Sequence, residues 1–300
     1  MSAKNSLRHF AAVCARIFHL WPLISRSGLY NYARRKQYPD TLVYLDVVIT
    51  ECCTLICRDC SNLMQYYKHP ENLNIEEQIR ALRRLLKSVR VAQLKILGGE
   101  PFVCQKNLIT LLEFLGREAT DRVDEIVIIT NGTLIPSDET LRVIKQTPKT
   151  KVLFSDYGEV SSKLKEFSEI CSKNGIESQV VETEYWWDFG DLKLRDEKAS
   201  KAQRRYDACY SRKHCNTLFR GKFYLCPRQA HGVHLGLIPD SSTENIDILQ
   251  DGFDDPLVLH DAIYQLIERK ERISSCSYCS CDSQIKIPRA VQTERSSDVS

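Results

Sequence analysis

The sequence predicts an α/β fold organised around a parallel sheet. Segments with strand composition alternate with segments of helical periodicity from about residue 38 to about residue 190, in five strand–helix repeats. Such alternation produces right-handed crossover units and therefore a parallel sheet. A polar or glycine-containing motif follows each predicted strand. Because the carboxyl ends of parallel strands meet at one edge, we expect these motifs to share one site.

The first strand and the first helix give the clearest signals. The β-branched run TLVYLDVVIT begins shortly after Pro39 and predicts a buried strand. The next periodic segment begins at Asn74, a residue type that caps helices. Its apolar residues recur at helical spacing, at Ile75, Ile79, Leu82, Leu85 and Leu86. The pattern therefore predicts a helix with one buried face.

The later elements repeat this order. Four more strands are predicted in the segments VAQLKIL, EIVIIT, KVLFSD and IESQVVETE. Three more helices are predicted in NLITLLEFLGREA, PSDETLRVIKQT and VSSKLKEFSEICSKNG, the last of which ends at Gly175.

The alternation stops near residue 200. The segment CYSRKHCNTLFRGKFYLCPRQ predicts a β-hairpin that turns at Gly221, and a hairpin there would place Cys215 opposite Cys226. The tail carries the further cysteine motif CSYCSC. We therefore predict three regions: a basic and aromatic extension over 1–38, a core over 39–200, and a cysteine-rich region over 201–300.

Composition limits the class of protein. The chain is 43% apolar and 27% charged, as globular proteins are, and its net charge of +3 is too small to predict nucleic-acid binding. The opening apolar stretch is broken by Arg16, His19 and Pro22, so we expect neither a secretory signal nor a membrane span. We expect a cytoplasmic protein, in which cysteine clusters hold metal. For the extension we favour a helix covering one end of the domain over a helix on a membrane surface.

Four of the 13 cysteines stand together after the first strand, in ECCTLICRDC. Cys53, Cys57 and Cys60 form the spacing C-x3-C-x2-C. Three thiolates can bind three irons of a [4Fe–4S] cluster and leave the fourth iron without a protein ligand. Zinc would usually require four protein ligands, and the nearest candidate, His69, lies beyond the loop. An iron–sulfur cluster is therefore the better interpretation, and Cys52 is expected to point into the core.

With these motifs the chain resembles the radical S-adenosylmethionine (SAM) superfamily. The resemblance rests on CTLICRDC after the first strand, GGEP after the second, and then ITNGT and FSDYG in order. It implies a partial (β/α)6 TIM-like barrel. It also implies a [4Fe–4S] cluster with an open iron, S-adenosylmethionine as cofactor, and a one-electron reductant such as flavodoxin or ferredoxin. Its implied activity is the formation of a 5′-deoxyadenosyl radical, which abstracts hydrogen from a substrate C–H bond.

The resemblance also implies which residues contact the cofactor: Gly98, Gly99, Glu100, Pro101, Thr130, Asn131, Ser155 and Asp156. The glycines would let the backbone approach the methionine amino group, and Glu100 would accept a hydrogen bond from it. Alone, GGEP would indicate only a tight turn. For TNGT and SDYG, a turn at the strand end and contact with a ligand are equal alternatives, because Asn-Gly is a common turn. The family often has an aromatic residue before the third cysteine, but here the residue is Asp59. Tyr44 or Tyr66 is then the expected adenine contact.

A second set of cysteines lies beyond residue 200, at Cys209, Cys215, Cys226, Cys276, Cys279 and Cys281. It is similar to the auxiliary-cluster extensions of radical SAM enzymes known as SPASM and twitch domains, and it fits the single-cluster twitch form better. The implied ligands of a second [4Fe–4S] cluster are Cys226, Cys276 and Cys279 with either Cys209 or Cys215. A structural zinc site would satisfy the same spacing and remains the alternative.

The segment YWWDFGD predicts a substrate site at the mouth of the pocket, with Trp186, Trp187 and Asp188. Aromatic faces with a carboxylate suit a sugar or a peptide, and Arg228 could bind a phosphate or carboxylate. Oxidation and epimerisation both remain open. Epimerisation requires a thiol hydrogen donor, for which Cys104 and Cys281 are candidates, with ordinary burial as the alternative for either.

Three functions follow from these motifs. The first is a radical SAM enzyme acting on a carbohydrate or glycoconjugate precursor, since the tail and the second cysteine set resemble radical SAM proteins of such pathways. The second is the same chemistry on a peptide or protein. The third is a non-enzymatic iron–sulfur or zinc-binding protein.

Overall fold

The computed structural model describes residues 41–281 and 285–294. The predicted N-terminal extension over 1–38 lies outside the described residues.

The described residues form an α/β fold around one eight-stranded sheet. Its strand order is β5-β4-β3-β2-β1-β7-β8-β9. The first six strands in this order pair in parallel, and β8 and β9 join antiparallel. The strand bounds are β1 Thr41–Val48, β2 Arg90–Leu97, β3 Ile126–Thr130, β4 Thr150–Asp156, β5 Ser178–Glu182, β7 Thr217–Phe219, β8 Lys222–Tyr224 and β9 Asn245–Asp247. The predicted fold class, α/β with a mostly parallel sheet, is confirmed, and six parallel strands fit a partial barrel.

The four helices that follow the first four strands lie where the periodicity predicts them. They are α1 Ile75–Ser88, α2 Gln105–Glu118, α3 Asp138–Gln146 and α4 Leu164–Asn174. Their ends confirm the predicted signals, since Asn74 accepts a hydrogen bond from the backbone of Glu77 and Gly175 adopts a left-handed conformation with φ of 67°.

The sheet has one apolar and one mixed face because side chains alternate along a strand. On β1, Leu45 and Val47 are fully buried in the main core with the helices. Asp46 points to the other face, where it lies opposite Lys95 of β2, with the Lys95 Nζ 3.4 Å from the Asp46 carboxylate. The helices therefore cover one face, and the other face is available for polar groups.

The region beyond residue 200 begins with α5 Ala199–Ala208 and the short α6 Ser211–His214. The predicted hairpin is confirmed: β7 and β8 pair antiparallel around Arg220 and Gly221, whose φ angles are 48° and 74°. β7 also pairs in parallel with β1, so the hairpin extends the central sheet. The boundary near residue 200 stays a prediction.

The C-terminal elements complete the described chain. α7 Pro227–His234 follows the hairpin, and α8 Pro256–Glu268 packs beside α1. A separate two-stranded ribbon joins β6 Tyr185–Trp187 to β10 Lys286–Pro288, so the tail returns to the segment after β5. No helix among residues 41–281 and 285–294 combines the length and apolarity required to cross a membrane.

Candidate functional site

The three cysteines of the first motif lie together at the carboxyl edge of the sheet. Cys53, Cys57 and Cys60 line a cavity of about 380 Å3. The cavity is also lined by residues from the ends of β2, β3 and β4, namely Gly98, Gly99, Thr130, Asn131 and Ser155. Five of the eight predicted cofactor residues are therefore brought to these cysteines, and the other three, Glu100, Pro101 and Asp156, are not in the lining.

The two glycines let the end of β2 pack directly on the cysteine loop. A β-carbon on Gly99 would lie 2.7 Å from the Cβ of Cys53, and one on Gly98 would lie 2.8 Å from the Cγ2 of Thr50. Backbone hydrogen bonds from Gly99 to Thr50 and from Glu100 to Cys52 hold this contact. The glycines therefore allow the backbone at the end of β2 to approach the cysteine loop. This contact forms part of the wall of the first cavity.

Glu100 joins the ends of β2 and β3 from behind the cavity. It is fully buried, and its carboxylate accepts hydrogen bonds from the Thr130 hydroxyl (2.9 Å), the Asn131 backbone (2.8 Å) and the Phe102 backbone (3.2 Å). Burial raises the pKa of this carboxyl to about 7, against the effect of these donors. The contact of Glu100 with the methionine amino group stays a prediction.

Asn131 connects the second and third motifs to the first cysteine. Its side-chain nitrogen lies 3.7 Å from the Cys53 sulfur and donates to the Thr54 hydroxyl at 3.1 Å. Ser155 of β4 and Tyr157, the residue directly after β4, line the cavity, whereas Asp156 is not in the lining and accepts a hydrogen bond from the Gly158 backbone at 2.7 Å. Alternation along a strand explains this arrangement, because residues two apart share a side. Applied to the motif SDYG, the same alternation predicts that Tyr157 lies on the side of Ser155 and lines the cavity. Tyr157 was not among the predicted site residues.

Burial controls the protonation of the three thiols. It raises the pKa of Cys53 to about 12 and that of Cys57 to about 11, and it also raises that of Cys60. All three are therefore protonated at neutral pH in this state. Metal ligation requires thiolates, so metal or cluster binding here would release protons.

The mouth of the cavity is aromatic. Tyr185, Trp186 and Trp187 of the segment YWWDFGD line it, together with Tyr157 and Phe189. Their contact with a substrate stays a prediction. Tyr157 and Trp186 meet edge to face at 5.4 Å between ring centroids. Asp188 lies outside the lining and accepts a hydrogen bond from Gly190, which begins the next turn.

All six cysteines beyond residue 200 meet at a second cavity of about 240 Å3, lined by Cys209, Cys215, Cys226, Cys276, Cys279 and Cys281. The two cavities are adjacent, since Ser61, Asn62, Ile129 and Phe189 line both. Arg205 donates to the Cys276 carbonyl at 2.8 Å and so holds the C-terminal cysteine turn against α5.

Cys209 and Cys215 have different surroundings. The thiol of Cys226 interacts electrostatically with Cys209, Cys276 and Cys279. The neighbours of Cys215 are instead Asp46, Lys95 and, within the set, Cys209. Cys209 is therefore the cysteine closer to the group that contains Cys226, Cys276 and Cys279.

The two predicted hydrogen donors lie apart from the first cavity. Cys281 lies between Cys209 and Cys279, and its thiol hydrogen bonds lower the pKa of Cys209 to about 6 and that of Cys279 to about 7. Cys104 is buried beside Cys52, at the beginning of α2. Cys52 itself is half-buried and donates to the Pro70 carbonyl at 3.4 Å, outside the lining of both cavities.

Three other predicted residues have clear positions. Arg228 lines the second cavity and donates to the carbonyls of Gly190, Asp191 and Tyr278, so it ties the loop after β6 to the cysteine turn. Tyr44 contacts Lys95 and His214, away from the lining of the first cavity. Tyr66 is likewise absent from that lining.

Each cysteine that the structure describes is a free thiol. In the same described residues, no group of three or more His, Cys, Asp or Glu side chains converges closely enough to hold a single metal ion.

One known protein family matches a segment whose residues line the first cavity. Residues 47–155 match the family model of the "Radical SAM superfamily", which covers the three cysteines and the motifs after β2 and β3. The chain therefore carries a radical SAM domain over this segment.

Curated relatives match about a third of the chain. A GTP 3′,8-cyclase of Ectopseudomonas mendocina (strain ymp) is 36% identical over 93 residues, which cover 31% of this chain and 27% of that protein. A GTP 3′,8-cyclase of Erythrobacter litoralis (strain HTCC2594) is 33% identical over 91 residues, covering 30% of this chain and 27% of that protein. The chain thus spans little more than a quarter of the length of these relatives.

Solved structures show more distant likenesses. BtrN in complex with AdoMet and 2-DOIA aligns with a TM-score of 0.47 at 13% identity, covering 84% of this chain and 98% of that one. Streptococcus suis SuiB bound to the precursor peptide SuiA aligns with a TM-score of 0.42 at 15% identity, covering 82% of this chain and 72% of that one.

Proposed function

We propose that this protein is a radical SAM enzyme that cleaves S-adenosylmethionine reductively and abstracts hydrogen from a substrate C–H bond. The observation that carries the proposal is the convergence of Cys53, Cys57 and Cys60 with Gly98, Gly99, Thr130, Asn131 and Ser155 on one cavity. The sequence match over 47–155 covers all of these positions.

The donor set of the first cavity fits an iron–sulfur cluster. Three free thiols line it, and the one carboxylate in the lining, Asp59, is paired with Arg58 at 2.8 Å. When bound, a [4Fe–4S] cluster with S-adenosylmethionine supplies a carbon-centred radical that protein side chains cannot provide.

The described residues have separate tasks in this proposal. Cys53, Cys57 and Cys60 hold the cluster, and the polar groups of Thr130, Asn131 and Ser155 line the wall where a polar cofactor tail would bind. Glu100 fixes the ends of β2 and β3 to each other and so fixes this wall. The aromatic side chains at the mouth, including Tyr157 and Trp186, exclude water from a reactive intermediate.

The size and lining of the second cavity support the proposal of an auxiliary cluster there. Zinc–thiolate bonds are about 2.3 Å long, so thiols that bind one zinc converge on a point. Here six cysteines surround a cavity of about 240 Å3, which has room for a polynuclear cluster. Cys209, Cys226, Cys276 and Cys279 are the proposed ligands, because these four interact with one another. Cys281 contacts two of them, which favours a role at this cluster over hydrogen donation in the first cavity.

For the substrate we propose a carbohydrate or glycoconjugate precursor, oxidised or epimerised at a C–H bond. Aromatic rings at the mouth suit the apolar faces of a sugar ring, and Tyr185, Trp186 and Trp187 provide them, with Tyr185 and Trp187 meeting edge to face. The Asp59 carboxylate in the same lining, which is paired with Arg58 through one oxygen, can accept a sugar hydroxyl through the other.

A peptide is the second candidate, and one observation favours it. The edge strand β5 carries Val180 and Val181, which are 41% and 37% exposed. An exposed edge strand can pair with an extended peptide. Strand β5 directly precedes the aromatic segment β6, so a peptide paired with β5 would lie close to the mouth of the first cavity.

Anaerobic reconstitution followed by an assay for 5′-deoxyadenosine tests the proposal. The wild-type protein should bind iron and form deoxyadenosine under reductant, and Cys57→Ala should form none above the level without protein. Cys52→Ala is the matched control, since Cys52 is adjacent in sequence but outside the cavity, and it should retain the activity. Activity in Cys57→Ala equal to that of wild type would refute the site. Deuterium transfer from labelled sugars or peptides into deoxyadenosine would then separate the two substrate classes.

A further inference from the structure

The segment 285–294, here called the C-terminal strap, lies across the cysteine loop of the first cavity. It begins with β10, where Ile287 pairs with Trp186 at the mouth. It then runs beside the loop, where the Arg58 backbone donates to the Val291 carbonyl and the Thr293 backbone donates to the Ile56 carbonyl, both at 2.8 Å. The tail of the chain therefore covers a loop that precedes it by more than 200 residues.

Gln292 is the strap residue that reaches a proposed cluster ligand. Its side-chain nitrogen lies 3.3 Å from the Cys57 sulfur and 2.7 Å from the Ala290 carbonyl, and its side-chain oxygen accepts from the Ile56 backbone at 2.9 Å. The backbone N–H of Ile56 can only donate, so the amide oxygen must face Ile56 and the NH2 group must face the sulfur. The amide orientation is therefore fixed by its partners.

The strap is anchored on both sides of Gln292. Arg289 donates to the Thr183 carbonyl at 2.6 Å. Ala290 is 2% exposed and adopts a φ of 46°, a left-handed conformation that a non-glycine residue keeps only when its surroundings hold it there. These contacts hold the Gln292 amide at Cys57.

We propose that Gln292 is a positioning residue that raises the reduction potential of the cluster held by Cys53, Cys57 and Cys60, an inference that rests on the proposed function. An N–H donor to a ligand sulfur stabilises negative charge on it, and reduction adds negative charge to the cluster and its sulfurs. The hydrogen bond is therefore stronger in the reduced state, and it makes the first electron easier to accept.

Three variants test this role. Gln292→Leu removes all three side-chain hydrogen bonds, to Cys57, Ala290 and Ile56. Gln292→Glu keeps an acceptor for Ile56 but replaces the donor to Cys57 with a carboxylate. Thr293→Ala is the control, because the strap contact of Thr293 shown here is made by its backbone. The measurement is a redox titration followed by electron paramagnetic resonance, using the signal that changes when S-adenosylmethionine is added, with iron content measured on each sample.

We expect the potential to become more negative in Gln292→Leu and more negative still in Gln292→Glu. A tenfold fall in the ratio of reduced to oxidised cluster corresponds to about 59 mV for one electron. Thr293→Ala should titrate as wild type. Gln292→Glu decides the outcome because it preserves the bond to the loop, and a wild-type potential in that variant would overturn the proposal. A wild-type protein with no signal responsive to S-adenosylmethionine would refute the proposed function instead.

Discussion

The two cysteine groups of this protein are built in opposite ways. Cys53, Cys57 and Cys60 come from one loop after β1, and their spacing alone places three thiols at one cavity. The six cysteines of the second cavity come from separate segments around α5, α6, α7 and the C-terminal turn. A local motif therefore forms the first site, and packing between distant segments forms the second.

The surroundings of the two cavities differ as well. The first is lined by three cysteines and opens towards an aromatic mouth. The second is lined by six cysteines and lies over the ion pair of Asp46 and Lys95 on the sheet. Three thiols leave one iron of a four-iron cluster open to an exogenous ligand. Six thiols, in contrast, are enough to provide a protein ligand to each of the four irons. In the proposed function, this difference would make the first cavity the reactive centre and the second an electron-transfer or substrate-anchoring centre.

The largest predicted effect separates these roles. Cys60→Ala should abolish deoxyadenosine formation, because the reactive cluster loses a ligand. Cys276→Ala should retain deoxyadenosine formation without substrate but lose product formation. The measurement is chromatographic quantification of both compounds after anaerobic turnover, and equal loss of deoxyadenosine in both variants would contradict the division of roles.

The second prediction concerns the fourth ligand of the second cavity. Two [4Fe–4S] clusters amount to about eight irons per chain. Cys209→Ala should fall to about four irons, whereas Cys215→Ala should keep about eight, because Cys215 lies beside Asp46 and Lys95. Iron and sulfide analysis with Mössbauer spectroscopy would check this, and the reverse result would assign the ligand to Cys215.

The third prediction tests how tightly β2 packs on the cysteine loop. Gly99→Ala should lower the free energy of unfolding by about 3 kcal/mol, because its β-carbon would overlap the loop at Cys52 and Cys53. Gly116→Ala is the matched control: it lies in α2, its β-carbon would have no neighbour closer than 3.7 Å, and it should gain about 0.5–1 kcal/mol in stability. Urea unfolding of the two variants measures both effects, and equal stability of the two would contradict the packing argument.

The smallest effect is a pH dependence outside both cavities. His231 is fully buried between Tyr67 and Phe219, and burial lowers its pKa to about 3. The unfolded chain binds this proton near pH 6.5 and the folded chain does not, so stability is complete above pH 6.5 and falls as the pH drops towards 3. The loss at pH 5 should be about 2 kcal/mol, and the titratable and charged neighbours of His231 are Glu51, His234 and Arg220.

Urea unfolding at pH 5 and pH 8 measures this loss. His231→Gln should make the difference between the two pH values smaller by about the same amount. An unchanged pH dependence in His231→Gln would show that another group is responsible.

Much of the fold was predictable because its signals are local. Asn74 caps α1, Gly175 ends α4, and Arg220 with Gly221 forms the hairpin turn, and each of these depends on the backbone preferences of a few neighbouring residues. The cysteine loop was predictable for the same reason, since its three thiols are close in sequence.

Only the tertiary structure decided which side chains meet across long separations. It turned Glu100 towards the end of β3, placed Asp156 and Asp188 in turns rather than in the cavity lining, and grouped Cys209 with the later cysteines. It also brought Gln292 to Cys57, 235 residues away in sequence. The sequence by itself determined the elements and the local motifs, because short-range backbone and side-chain preferences specify them. Contacts between distant segments depend on how the sheet, its helices and the returning tail pack together, and no short stretch of sequence contains that information.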